Sequence, residues 1–131
     1  MSASAARILV VDDDPASAEV VRLFLDAQGY EVEVAGDGEQ ALERFDAVHP
    51  ALVLLDVMLP GRSGLDVCRL MKQHPTHGSG VRIIMLTAPG AWDSRQRALR
   101  TGADDYLTKP LDLLLLAATI QRNLVLVCPS P

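Results

Sequence analysis

The chain has 131 residues, 49% of them hydrophobic, and sets 12 basic against 17 acidic side chains for a formal charge of −5. That length and apolar content suit one folded domain able to bury about 65–70% of its unfolded surface, which excludes a disordered segment. The acidic balance excludes direct nucleic-acid binding by this domain, because no basic excess is present to hold phosphates.

In chain order, residues 1–6 read as a flexible tail, with no long apolar stretch behind a basic segment to suggest a signal peptide. Residues 8–11 form the first strand candidate, an apolar run that ends against Asp12, Asp13 and Asp14. Pro15 fits the first turn of a helix over 16–28, where its missing N–H costs nothing, with Asp14 as the cap. Gly29 fits the left-handed residue that closes that helix. A second strand candidate follows at 31–35 and a helix at 39–48. The third strand candidate, 51–55, leads through the turn-forming MLPGRSG to a helix at 65–73. HPTHGSG, between Lys72 and Val81, is a polar loop rich in breakers. The fourth strand candidate is 82–87, followed by a helix at 92–101 with Gly102 at its end. A brief fifth strand at 105–107 precedes the last helix, 111 to about 127.

That last segment contains the longest apolar block, LLLLAATIQRNLVLV. Gln121, Arg122 and Asn123 interrupt it, and it falls short of the roughly 20 residues a membrane span needs. No membrane association is expected, and the protein is expected to be cytoplasmic. Leu113–Leu116 are too many leucines for one buried stripe about 100° wide, so some should be exposed and offer an interface. Cys68 and Cys128 are too few for a disulfide framework and lack metal-ligand spacing, so they read as idle thiols in a reducing compartment.

All strand candidates but the second are nearly continuous apolar runs, as expected where helices cover both faces. Five strands alternating with five helices imply an α/β fold, a doubly wound (βα)5 three-layer sandwich with a parallel sheet. Order 2-1-3-4-5, the flavodoxin-like arrangement, is one of the common cases. Ligands of such sheets bind beyond the carboxyl ends of the strands. Asp12 and Asp13 stand at the end of the first strand and Asp56 at the end of the third. Thr87 closes the fourth, and Lys109 with Pro110 follows the fifth. Singly, each has an ordinary explanation as a cap, a β-former or a solvated charge. Their agreement at four strand ends points to one site.

Two like charges about 4 Å apart repel by about 4 kcal/mol at an effective dielectric of about 20, so the converging carboxylates need a counter-charge. Carboxylate and carbonyl oxygens suit Mg²⁺, with Mn²⁺ as a substitute. Lys109 adds a compact positive charge and Thr87 a hydroxyl donor, and the set suits a phosphoryl group. Asp56, alone at the end of a central strand, is the natural nucleophile for an aspartyl phosphate.

ILVVDDDP, LVLLDVMLPGRSGLDVCRLMK, IIMLTA and GADDYLTKP, in this order and spacing, resemble the receiver domains of two-component response regulators over roughly residues 7–124. The resemblance implies a phosphorelay switch rather than an enzyme, although such a domain catalyses its own phosphorylation and dephosphorylation. Asp56 would be phosphorylated by a sensor histidine kinase or a histidine phosphotransfer protein. Asp12, Asp13, Asp56 and the backbone carbonyl of Met58 would ligate Mg²⁺. Thr87 and Lys109 would contact the phosphoryl group, Thr87 and Tyr106 would form the switch, and the Lys109–Pro110 bond would be cis. Output would pass through the face of the fourth helix, the fifth strand and the last helix, to a second copy or an output domain. Trp92 would begin the fourth helix, on the face where partners bind in similar proteins. The domain would occupy 7–127, with 128–131 a tail or the start of a linker; the chain would be either a stand-alone receiver or one cut from a longer regulator. Met58 and Pro89 are less typical, and this apolar pair should lengthen the life of the phosphoryl group.

Two rival functions and one rival site remain. A Mg²⁺-dependent phosphatase with an aspartyl-phosphate intermediate would share these residues, but it needs a second carboxylate near the nucleophile and a cap over its substrate. GDGEQA, residues 36–41, fits a dinucleotide-binding fingerprint with Asp56 downstream. However, the carboxylates of VVDDDP at the switch point would repel a pyrophosphate. His74 and His77 could be paired metal ligands, yet Pro75 between them spoils helical spacing, and they read as exposed loop residues.

Overall fold

Strands that are apolar at every position demand cover on both faces, and the computed structural model shows that cover. The structure describes residues 6–88, 100 and 102–127. In these, β1 (Arg7–Val11), β2 (Glu31–Ala35), β3 (Leu52–Asp56), β4 (Arg82–Thr87) and β5 (Asp105–Thr108) alternate with α1 (Pro15–Ala27), α2 (Gly38–Val48) and α3 (Gly64–Lys72), and α4 (Leu113–Val127) ends the order. The sheet is parallel throughout, in the order β2-β1-β3-β4-β5, as the sequence predicts. The segment expected to be a helix at 92–101, Pro89 and the 128–131 tail lie outside the described residues, apart from helical Arg100.

Side chains alternate across a strand, so one sheet feeds two cores. Leu9, Val11, Val53, Leu55, Ile83 and Met85 pack against Phe45 of α2 and Met71 of α3. Ile8, Val10, Leu52, Leu54, Ile84 and Leu86 pack against Leu25 of α1 and Leu116 and Ile120 of α4. The edge strand β2 is only half-buried until Ala35, which accounts for its alternating composition.

Local chemistry sets the helix starts. Asp14 Oδ1 accepts the Ala16 N–H at 3.1 Å and caps α1. In GDGEQA, Asp37 Oδ1 accepts the Gln40 N–H at 2.8 Å, while Gln40 Oε1 accepts the Gly36 N–H at 2.9 Å. This reciprocal cap explains the sequence without a nucleotide, and it sits at the sheet edge, away from the switch point between β1 and β3. Gly29, just past α1, and Gly102 adopt φ of +97° and +100°, where a side chain would be strained.

The four leucines of α4 divide as expected: Leu116 is fully buried, while Leu114 and Leu115 are 80% and 53% exposed. No helix among the described residues is long and apolar enough to cross a membrane. Leu116→Ala should therefore lower stability by about 2–4 kcal/mol in urea unfolding, and Leu114→Ala by less than about 0.5 kcal/mol. Equal losses would contradict this placement of α4.

Candidate functional site

The carboxyl ends of β1, β3, β4 and β5 converge on one crevice. Asp12 follows β1 directly, its N–H bound to Ala35 O at 3.1 Å, and its Oδ1 accepts the Asp14 N–H at 3.0 Å. Asp56 is the last residue of β3, and its Oδ1 accepts the Met58 N–H at 3.0 Å. Asp12 and Asp56 are buried, while Asp13 is exposed. Carboxylate oxygens of these three residues lie within 4.8 Å of one another.

Lys109 reaches into this cluster from the end of β5, with Nζ 2.5 Å from Asp56 Oδ2. Its N–H donates to Thr87 O at 2.7 Å, and the Lys109–Pro110 bond is cis. Burial works against the charge of Lys109, but the hydrogen bond and charge of Asp56, with Asp12 and Asp13 behind it, outweigh burial and raise its pKa. Burial pushes Asp12 upward as well, and the charges of Asp56 and Asp13 add to that, against the Asp14 amide and Lys109. One lysine therefore only partly offsets three carboxylates, and a hard divalent cation with oxygen ligands fits what remains.

Thr87 is buried, and its hydroxyl donates to Leu107 O at 3.4 Å rather than into the crevice. The bond is long, so the hydroxyl can turn to a better acceptor. Tyr106 is half-buried and packs against the core on the α2–α3 side. Met58 is 73% exposed beside Asp56. Asp14 caps α1 and takes no part in the carboxylate cluster.

Gly64 is a site residue that sequence reasoning missed. A Cβ there would fall on the backbone carbonyl of Asp56 and lie 2.9 Å from Val57 Cα, so only glycine lets α3 start this close to β3. Its N–H donates to Val57 O at 3.0 Å. The glycine before an apolar helical run was the available signal. Asp104 was missed too: it accepts Lys72 Nζ at 2.7 Å and the Ile83 N–H at 2.8 Å, anchoring the entry to β5 and hence Lys109. The histidines of HPTH correct an expectation, since both are half-buried and their rings stack at 4.5 Å.

A family model described as the response regulator receiver domain matches residues 8–121. The chain is 46% identical over 118 residues to the DNA-binding response regulator MtrA of Mycolicibacterium smegmatis, covering 90% of this chain and 50% of that protein. It is 39% identical to the transcriptional regulatory protein TrcR of Mycobacterium tuberculosis, covering 88% and 44%. The chain thus spans about half the length of the curated relatives it matches. Among solved structures, a CheY-like response regulator receiver domain protein from Methanospirillum hungatei superposes with a TM-score of 0.86 at 31% identity, covering 95% of this chain and 97% of that one. The signal receiver domain of a signal transduction histidine kinase from Syntrophus aciditrophicus gives 0.87 at 32%, covering 97% and 96%.

Removing one charge from the cluster should stabilise the metal-free protein. Asp12→Asn keeps an acceptor for the Asp14 amide and is expected to gain about 1–2 kcal/mol in thermal unfolding, with Mg²⁺ stabilising the parent but not the variant. A variant less stable than the parent without metal would contradict the electrostatic picture. Gly64→Ala should lose at least about 2 kcal/mol; an unchanged midpoint would show that the approach to Asp56 can relax.

Proposed function

Because this chain belongs to the response regulator receiver domain family, it is a signalling switch of two-component systems, and we propose that Asp56 is its phosphoacceptor. The observation that carries this assignment is the state of that carboxylate. It is buried, accepts the Met58 amide, pairs with Lys109, and lies beside Asp12 and Asp13. A phosphohistidine on a sensor histidine kinase or a histidine phosphotransfer protein is the donor. An Asp56 oxygen forms the new O–P bond as the P–N bond breaks and the imidazole leaves.

Asp12, Asp13, Asp56 and the Met58 carbonyl would hold Mg²⁺, or Mn²⁺ in its place. Once bound, the ion supplies positive charge to the carboxylates and to the phosphoryl oxygens. Phosphorylation adds about 1.5–2 negative charges at Asp56. Lys109 keeps its partner in that change, its ammonium moving from carboxylate to phosphoryl oxygen. Thr87 gains a better acceptor than Leu107 O and turns toward it, and Tyr106 repacks in the space this opens. The Thr87 O–Lys109 N link carries both loops together, biasing a two-state equilibrium. The same residues let the domain catalyse its own phosphorylation from small donors and its own hydrolysis.

Residues 7–127 form the receiver unit in this reading. Exposed Val20 and Leu23 of α1, beside a cleft of about 310 Å³ lined by Asp12, Val20, Lys109 and Leu113, suit a docked phosphodonor protein. Leu114 and Leu115, exposed on α4, would offer an apolar contact to a second copy or an adjoining output domain. A phosphatase would need a general acid/base carboxylate two residues past Asp56, separate from the Asp12–Asp13 pair; position 58 holds a methionine.

Incubating the chain with a phosphodonor and Mg²⁺ should label it once per molecule, with Asp56→Asn unlabelled; multiple turnover of the donor would favour the phosphatase instead. Met58 offers no hydrogen bond to orient an attacking water, so the label should decay over minutes or longer. Loss within seconds would contradict that role for position 58.

A further inference from the structure

At the pole of the sheet opposite Asp56, α2 and the connection after α3 bring together side chains that phosphorylation does not use. Asp46 lies in the last turn of α2 and His49 just past its end, while His74 and His77 lie beyond α3. His74 Nε2 is 3.0 Å from Asp46 Oδ1. The His74 and His77 rings stack at 4.5 Å, and His49 lies on His77 at 3.6 Å between centroids. Phe45, which is buried, sets its ring edge-on to both His74 and His77, at 5.6 and 6.3 Å. Ligand atoms of Asp46, His74 and His77 all lie within 4.8 Å of one another.

We propose that Asp46, His74 and His77 form a second cation site, for a divalent transition metal of the Zn²⁺ class. Two imidazoles and one carboxylate are donors that Zn²⁺ takes in three-ligand sites with water completing the shell, whereas Mg²⁺ prefers oxygen alone. The two cation sites of the chain would therefore differ in chemistry as well as in place. Metal–ligand bonds of about 2.0–2.2 Å in a tetrahedron put ligand atoms about 3.3–3.6 Å apart, so the Asp46–His74 pair, at 3.0 Å, must open slightly and His77 move in slightly. The ion would clip α2 to the α3–β4 connection, elements separated by 28 positions at this contact.

One feature of His74 shapes how the ion binds. Its Nδ1 accepts the Thr76 and His77 amides, each at 3.2 Å, so the metal-free ring carries its proton on Nε2 and donates it to Asp46. A metal ion at Nε2 takes that proton's place, the proton moves to Nδ1, and the two amides must turn away. Binding is therefore weaker than at sites that donate their second N–H to an acceptor, and the Thr76 and His77 amides report on it.

The test uses the untagged, chelator-treated chain in excess Mg²⁺, so that the aspartate crevice is already supplied with its own ion. Calorimetric titration with Zn²⁺ should find one ion per chain, and Ni²⁺ should broaden the amide resonances of Asp46, Thr76 and His77. Asp46→Asn and His77→Gln should each weaken Zn²⁺ binding about tenfold or more while leaving Mg²⁺-dependent phosphorylation unchanged. Broadening in the parent chain decides the matter even if a variant fails to fold. No Zn²⁺ binding up to millimolar concentration, broadening centred on Asp12, Asp13 and Asp56, or unchanged affinity in folded variants would each overturn the proposal.

Discussion

Everything at the functional end of this molecule depends on three carboxylates held together against their mutual repulsion. Asp12 and Asp56 are buried with Asp13 at their side, and Lys109 is their charged partner in the crevice. At about 4 Å each unscreened pair opposes folding by several kcal/mol at protein-like dielectric, which one ammonium cannot cancel. The rest of the fold has to supply the difference, and it does so with two fully apolar cores on a sheet whose central strands have no exposed side chain but Arg7. A site left short of positive charge binds cations readily and gains from a phosphoryl group only when a cation accompanies it. Stability is given up at the crevice in the form that makes ligand binding favourable.

The backbone around the crevice determines how a change there can spread. Met58 and Val57 tie the β3 end to Asp56 and to Leu86 O, and Gly64 lets α3 begin against the Asp56 carbonyl. These contacts fix the end of β3 from both sides. By contrast, Thr87 makes one long side-chain hydrogen bond across to β5 and one short backbone link to Lys109. In the proposed switch the weak contact is the one that would rearrange, and the short link would carry the change from β4 to β5. At its far end β5 is anchored by Asp104 on Lys72 and Arg82, and by Asp105 on Arg122 and Asn123.

Most of the fold was legible because burial on both faces writes strands as unbroken apolar runs. Residues 31–35 and 82–87 match β2 and β4 end for end, and the other strands differ by a residue or so at an end. Strand-end polar residues were equally legible, since an aspartate, threonine or lysine closing an apolar run has few other reasons to recur at four strands. Contacts that depend on close approach of distant backbone were not. Gly64 looks like any glycine before a helix until Asp56 is seen against it. Asp104 looks like half of an acidic pair until Lys72 and Arg82 arrive from other elements. The histidines were misjudged because Pro75 rules out helical spacing, whereas the turn that replaces the helix brings their rings together and Phe45 holds them. The α4 leucines lie between these cases, with exposure foreseeable from their number and its distribution decided by packing.

A crevice with one ammonium against three carboxylates should bind cation and phosphoryl group as a unit. Mg²⁺ affinity measured with and without beryllofluoride, a non-covalent phosphoryl mimic, tests it directly. Each ligand should tighten the other by about tenfold or more, and Asp56→Asn should abolish the coupling. Equal Mg²⁺ affinity with and without the mimic would contradict it.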